Sequence, residues 1–273
     1  MLYSDIHFTI NYITFQHLQK ILGYSIISAY KIPEEKKGMK ESQKRTVSLI
    51  GEQAQERLTR SRVLIFGIGG VGGHLTEALA RAGVGHLTLV DHDTVAESNI
   101  NRQLFATRST VGMKKVEAAR ARIADIDPDI IVECRDEFFL PENAASFDFS
   151  EYDCIVDCID TVSGKIEIAV RADAAGVPVV SAMGAANKLS AQAFEISDIY
   201  KTTVCPLARV MRTELRKRGV RRLKVVYSRE EAHTPLLPDL DRNGRRVPSS
   251  ISYVPAAAGL VMAEAVIAEL LSE

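Results

Sequence analysis

The sequence predicts an α/β protein built on a Rossmann-like, doubly wound and mostly parallel sheet. Three observations carry that expectation. From residue 61 onward, short β-rich runs alternate with segments of helical period, and parallel strands need such crossovers whereas antiparallel ones do not. Gly67-Ile-Gly69-Gly-Val-Gly72 lies where one run passes into a helical segment, the point at which doubly wound sheets turn tightly around a phosphate. Asp91 closes the next run, nineteen residues after Gly72, where an acid can accept hydrogen bonds from a ribose.

The elements follow in order. "RVLIFG" (62–67) is a short β-rich run ending in Gly, and "GGHLTEALARAG" (72–83) has helical spacing with a Gly stop. "HLTLVD" (86–91) is the next strand, and a helix is expected over about 113–126. "DIIVEC" (129–134) and "DCIVDC" (153–158) are continuous apolar runs, as expected for strands covered on both faces. A helix over about 164–176 leads into "VPVVSA" (177–182); a basic helix, 207–218, then precedes "LKVVYS" (223–228). Residues 230–250 combine proline, glycine and charge without period and read as loop. The apolar stretch 251–271 contains Pro255, Glu264 and Glu269. A carboxylate near a bilayer centre costs about 2.5–3.5 kcal/mol, so this stretch reads as a buried terminal helix and no segment reads as membrane-spanning.

The length of 273 residues and a 46% hydrophobic content suit one large domain, or one domain with additions. With Lys+Arg at 34 against Asp+Glu at 35, net charge neither favours nor excludes nucleic acid. Cys134, Cys154, Cys158 and Cys205 have no paired spacing, which fits reduced thiols of a cytoplasmic protein and argues against a structural zinc site. The first 38 residues are rich in Ile and Tyr and end in the charged "IPEEKKG" before Met39. Glu-Glu-Lys-Lys-Gly can be encoded almost purely in purines, as a bacterial ribosome-binding site is. We therefore expect Met39 to be the start and 1–38 a translated leader, the alternative being an appended arm.

The glycine fingerprint alone fits a nicotinamide oxidoreductase as well as an ATP enzyme. The stretch "VDHDTVAESNINRQLF" (90–105) discriminates between them. Displacing pyrophosphate from ATP builds charge on the leaving phosphates that cations must neutralise, and hydride transfer makes no such demand. Arg102 and Lys115 lie on the loop and helix after the Asp91 strand. Asp160, past another strand's carboxyl end, is positioned to hold magnesium (Mg2+). All three lie along the ligand edge of such a sheet. Asp93 reads equally as a turn or capping residue and as part of this site.

Together and in this order, "GIGGVG", "LTLVDHDTV", "SNINRQ", "VGMKKVEAA" and "DCID" resemble the ThiF/MoeB superfamily of ubiquitin-activating-enzyme-like adenylating enzymes, over about residues 42–205. Within it the chain looks most like the tRNA threonylcarbamoyladenosine dehydratases, through "ISDIYKTTVCPLARVMR" and the absence of paired Cys-x-x-Cys motifs. The resemblance implies ATP-dependent activation of the threonyl carboxylate on a tRNA bearing threonylcarbamoyladenosine, then cyclisation with release of AMP. It implies Gly67, Gly69 and Gly72 around the phosphates and Asp91 on the ribose. It further implies Asn99, Arg102 and Lys115 on the phosphates, Asp160 on magnesium, and a homodimer in which Arg45 reaches the partner's ATP site. A cysteine-desulfurase and sulfur-acceptor system enters as a partner on the same ground. Cys205 is not assigned as a nucleophile. On this resemblance residues 39–273 form one adenylating domain: a nucleotide half (about 42–185), a tRNA- or substrate-side segment (about 186–254) and a terminal helix (about 255–271).

The run 208–224 carries eight cations against Glu214 alone. A solvated helix face is the simplest account of such a run, yet the imbalance favours tRNA backbone contact through Arg209, Arg212, Arg216, Arg218 and Arg221. Rival functions are adenylation of the C-terminus of a ubiquitin-like sulfur carrier, nicotinamide oxidoreduction, and a non-catalytic nucleotide- or tRNA-binding module.

Overall fold

The computed structural model describes residues 40–237, 239–240, 244 and 246–272; the expectation about the leader and Met39 lies outside them. Two helices come first, α1 (Lys44–Ile50) and α2 (Glu52–Arg60), separated by Gly51, whose φ of +86° breaks the helical path. The alternation follows: β1 (Arg62–Phe66), α3 (Gly70–Ala82), β2 (His86–Val90), α4 (Lys115–Ile126) and β3 (Ile131–Arg135). Next come β4 (Cys154–Asp157), α5 (Val162–Ala175), β5 (Val179–Ala182), β6 (Phe194–Asp198), α6 (Pro206–Lys217) and β7 (Lys224–Ser228). A two-residue pair, β8 (Asp239–Leu240) and β9 (Arg246–Val247), precedes α7 (Tyr253–Leu271).

The seven-stranded sheet has the order β3-β2-β1-β4-β5-β7-β6, with every pair parallel except β6, which runs antiparallel to β7. Starting at β1, the chain builds outward to β3, then returns to place β4 on the opposite side of β1. That reversal opens a crevice at the strands' carboxyl ends, where open α/β sheets bind ligands. Each element expected from sequence is present, with bounds within two residues. Unexpected were α1, α2, β6 and the short β8–β9 pair inside what read as loop. β6 is an edge strand with Ile196 exposed, so it lacks the continuous apolar signature of the central strands. α2 buries only Gln55 and Leu58, too narrow a face to announce a helix.

Both faces of the central strands are covered, whereas β3, expected to be a buried strand, lies at the sheet edge with Ile131 and Glu133 exposed. Val63 and Ile65 point into one core with Leu75, Leu79, Met262 and Val266. Their neighbours Leu64 and Phe66 point into another with Phe139, Phe147 and Ile168. A third cluster lies beneath α6 around Met211, Leu215 and Tyr227. α3 and α4 are linked by Glu77, which takes Arg122 at 2.9 Å and Arg81 at 2.7 Å. Burial pushes the Glu77 carboxyl up, but the two guanidiniums outweigh it and hold it below the usual carboxylate range.

α7 is long and apolar enough to cross a membrane, but Val254, Ala258, Met262 and Val266 are buried against α3 and the sheet. The contact is closest at Gly259, where a Cβ would lie 2.5 Å from the Val71 carbonyl oxygen and 3.1 Å from the Leu75 nitrogen. Neither atom can move without shifting α3. Gly259→Ala is therefore expected to destabilise the fold by about 1–3 kcal/mol, as overpacking does. Urea unfolding measures this; an unchanged midpoint would mean the two helices separate freely.

Candidate active site at the reversal of strand order

The three glycines of the β1–α3 turn are required for different reasons. Gly67 has φ +89°, and a Cβ on it would lie 2.8 Å from the Cys158 carbonyl oxygen. Gly72 faces back into the turn, where a Cβ would lie 1.8 Å from the Gly67 carbonyl oxygen. Gly69 opens outward, with no atom nearer than Gln103 Nε2 at 3.9 Å from a Cβ there. No side chain caps the first turn of α3, so its amides face the cleft as an anion site.

Asp91 joins this turn to the end of β2. Its Oδ2 accepts from the Ile68 N–H at 2.7 Å and its Oδ1 from the Asp93 N–H at 2.9 Å, leaving acceptor capacity for ribose hydroxyls. Lys115, the first residue of α4, is not a solvent-facing lysine. Its side chain is 8% exposed, with Nζ 2.6 Å from Asp93 Oδ2 and 3.9 Å from Asp91 Oδ1. Lys114 instead turns outward to Asp136. Asp93 thus has a definite role as the counter-ion that holds Lys115 in the cleft.

The connection from β2 to α4 folds over the turn. Asn99 closes a short 3-10 turn (Glu97–Asn99) and accepts from the Ala96 N–H at 3.2 Å. Arg102 donates through Nη1 to the Ser98 carbonyl at 3.0 Å and to Asn101 Oδ1 at 2.8 Å. Among the described residues its remaining donors have no partner and can meet a phosphate, as a guanidinium carries five N–H groups. Asn101 Nδ2 donates to the Ser250 carbonyl at 3.1 Å, tying this connection to the segment before α7.

Gly69, Asp91, Asn99, Arg102, Lys115 and Asp160 all line one cleft of about 490 Å³. Asp160 is exposed there and makes no hydrogen bond or ion pair among the described residues. An uncommitted carboxylate suits magnesium, a hard cation commonly held by one or two carboxylates together with substrate phosphates. Asp91, His92 and Asp93 also bring ligand atoms within 4.8 Å of one another, but both of those acids already serve backbone amides or Lys115. Sequence reasoning missed the other wall: Glu137, Phe138 and Phe139, after β3, line the cleft, as do Val247, Pro248 and Ser250. The position of "EFFL" at a strand's carboxyl end was the available signal.

The other expected residues lie elsewhere. Arg45 is exposed on α1. That helix starts beside Gln43, whose side chain meets Gly83 at the end of α3 away from the cleft. Cys205 is buried, its Sγ 3.9 Å from where a Gly184 Cβ would lie. Burial pushes the Cys134 thiol up to about 11 and the cleft thiol Cys158 up to about 12, so neither is a thiolate near neutrality. On the basic run, Arg212 folds onto Thr202, Arg216 lies 5.0 Å over the Tyr200 ring and Arg218 pairs with Glu214 at 2.6 Å. Arg209 and Arg221 face solvent.

The different glycine roles are separable by mutation. Gly69→Ala is expected to leave thermal stability nearly unchanged while weakening nucleotide binding, because its Cβ would occupy the phosphate's path. Gly72→Ala is expected to lower both, because its Cβ cannot coexist with the Gly67 carbonyl. Paired melting and nucleotide titration distinguish the two; equal effects from both substitutions would contradict the assignment.

Comparison with known proteins bears on the same residues. A model of the ThiF family matches residues 41–273. The chain is 40% identical over 234 residues to a tRNA threonylcarbamoyladenosine dehydratase of Bacillus subtilis, covering 82% of this chain and 92% of that relative. It is 42% identical over 144 residues to the molybdopterin-synthase adenylyltransferase of Escherichia coli, covering 50% of this chain and 54% of that relative. The crystal structure of E. coli tRNA N6-threonylcarbamoyladenosine dehydratase in complex with ATP matches with a TM-score of 0.76 at 30% identity, covering 84% of this chain and 93% of that one. A family model spanning the whole described fold and a relative matched along most of its length agree: this chain belongs to the ThiF family.

Proposed function

We propose that the chain is an ATP-dependent tRNA threonylcarbamoyladenosine dehydratase. An oxygen of the threonyl carboxylate attacks the α-phosphorus of ATP, the α–β anhydride bond breaks and pyrophosphate leaves. Attack within the same nucleoside on the activated carbonyl then closes the ring and expels AMP, a net loss of water. The observation that carries this reading is the convergence of Arg102, Lys115 and Asp160 on the glycine turn. Nucleotidyl transfer needs that charge arrangement and hydride transfer does not. The 92% coverage of a relative bearing this name supports it, whereas the molybdopterin-synthase adenylyltransferase is matched over only 54% of its length.

In this reading the α3 amides hold the phosphates and Asp91 holds the ribose, while Phe138 and Phe139 form the apolar wall beside the base. Lys115 exchanges Asp93 for a phosphate oxygen when ATP enters. Asn99 and Arg102 add donors from the overlying loop. Asp160 would hold magnesium, which when bound supplies positive charge at the phosphate oxygens. Closure within one nucleoside needs no protein thiol, and Cys205, buried behind Gly184, has none of the exposure that a nucleophile uses. The site of action is the cytoplasm, and a cysteine-desulfurase and sulfur-acceptor partner remains part of the proposal on the family resemblance alone.

Arg45 belongs to the proposal through a homodimer: its helix starts at the far end of α3, so it serves a partner's cleft. tRNA contact falls to Arg209 and Arg221, with Arg222, because Arg212, Arg216 and Arg218 are engaged within the chain.

The direct test supplies ATP, magnesium and threonylcarbamoylated tRNA, and looks by mass spectrometry for loss of one water from the nucleoside; unchanged nucleoside would reject the reading. Arg102→Ala is expected to slow pyrophosphate release by about a hundredfold to a thousandfold in a folded protein, as loss of one preorganised charge contact does. Mixing Arg45→Ala chains with Asp160→Asn chains, each inactive alone, is expected to restore about a quarter of wild-type activity, since half the symmetric dimers would carry one intact site. No recovery would mean that Arg45 serves its own chain's cleft, and full activity of Arg45→Ala alone would place it outside the reaction. Neutralising Arg209, Arg221 and Arg222 is expected to make the slope of log tRNA affinity against log salt shallower by about two to three, and an unchanged slope would move the tRNA surface elsewhere.

A further inference from the structure

Beneath the cleft lies a fully buried ion pair that none of the assignments above uses. Asp157 ends β4 and Lys165 lies in the first turns of α5, with side chains 1% and 0% exposed. Lys165 Nζ is 3.0 Å from Asp157 Oδ1 and 2.9 Å from Oδ2. Ser181 of β5 donates its hydroxyl to Asp157 Oδ2 at 2.6 Å.

The pair holds more than itself. Lys165 Nζ also donates to the Ile159 carbonyl at 3.2 Å, and the Ile159 N–H donates to Asp157 Oδ1 at 3.3 Å. Both peptide groups flanking Ile159 are therefore gripped by one buried pair. On the other side of Asp160, Thr161 is held by the helix itself, its carbonyl accepting the backbone N–H of Lys165 at 3.0 Å. Asp160 stands between these two anchored residues, its own carboxylate uncommitted in the cleft. Stability alone is a poor account of such a pair, since buried ion pairs can often be replaced by apolar residues at no loss. A carboxylate awaiting a cation, by contrast, must be held in place by its surroundings.

We propose that Asp157, Lys165 and Ser181 form a positioning device for Asp160. By fixing both peptides of Ile159, the second of which leads directly into Asp160, they hold its carboxylate where magnesium accompanies the nucleotide. The inference rests on the reading of Asp160 as the magnesium carboxylate, and its test separates the two.

The test measures equilibrium binding of Mn2+, as a paramagnetic probe, to the full chain saturated with α,β-methylene ATP, which cannot release pyrophosphate. Four proteins form a cycle: wild type, Asp160→Asn, Asp157→Asn with Lys165→Met, and all three substitutions together. Both Asp160→Asn and the paired substitution are expected to weaken Mn2+ binding, the latter by about tenfold to a hundredfold, as loss of supporting groups does at metal sites. The triple variant is expected to bind no more weakly than Asp160→Asn alone, because the pair acts only through that carboxylate. Multiplying losses, or unchanged Mn2+ affinity in the paired variant, would overturn the proposal while leaving Asp160 in its role. Unchanged affinity in Asp160→Asn would overturn the reading of Asp160 and the proposal with it. If the paired variant does not fold, Ser181→Ala replaces it, with a smaller loss that disappears in the Asp160→Asn background; no loss would overturn the proposal.

Discussion

The cleft depends on how closely the ends of three strands are stitched around Gly67. Its N–H donates to the Val90 carbonyl at the end of β2, and the Cys158 N–H after β4 donates to the Phe66 carbonyl, both at 2.8 Å. Asp91 then takes the Ile68 amide, so the glycine turn, Asp91 and the Asp160 segment form one rigid unit. A side chain at Gly67 would strike the Cys158 carbonyl, and one at Gly72 would strike Gly67 itself. The groups proposed to meet phosphate, ribose and cation therefore keep fixed separations, the condition under which electrostatic stabilisation costs no reorganisation during reaction.

Two buried lysines serve this unit in opposite ways. Lys115 faces the cleft with Asp93, 49% exposed, as its counter-ion, so a polyphosphate can compete for its charge. Lys165 is sealed below the floor, shared between Asp157 and the Ile159 carbonyl, and no ligand can reach it. In the proposed reaction the first lysine exchanges partners, while the second stays bound to the backbone beneath the cleft.

Much of this was legible in residue order. Period and punctuation located the central strands and their crossover helices, because each strand there is covered on both faces and reads as an unbroken apolar run. The glycine spacing and Asp91 marked the cleft because that geometry tolerates few alternatives. Less visible were features set by tertiary partners. "DCID" offers two acids, and only the fold reveals that Asp157 is sealed against Lys165 while Asp160 is open. Phe138 and Phe139 drew no assignment from sequence, since their place at the ligand edge follows only from where β3 ends. On the basic run, the i,i+4 spacing of Glu214 and Arg218 was readable, but Arg212 on Thr202 and Arg216 on Tyr200 depend on how the segment before α6 folds back. A tally of charge therefore gives the sign of this surface but not which of its guanidiniums are tied to neighbouring groups.

In the proposed reaction one oxygen of the substrate's own carboxylate leaves as part of AMP. This central claim is tested most directly with threonylcarbamoylated tRNA carrying ¹⁸O in the threonyl carboxylate, turned over with unlabelled ATP, followed by mass analysis of the AMP. Carboxylate adenylation transfers one labelled oxygen to each AMP, so singly labelled AMP is the expected product. Unlabelled AMP, or ADP with labelled phosphate, formed alongside the cyclised nucleoside would contradict the account.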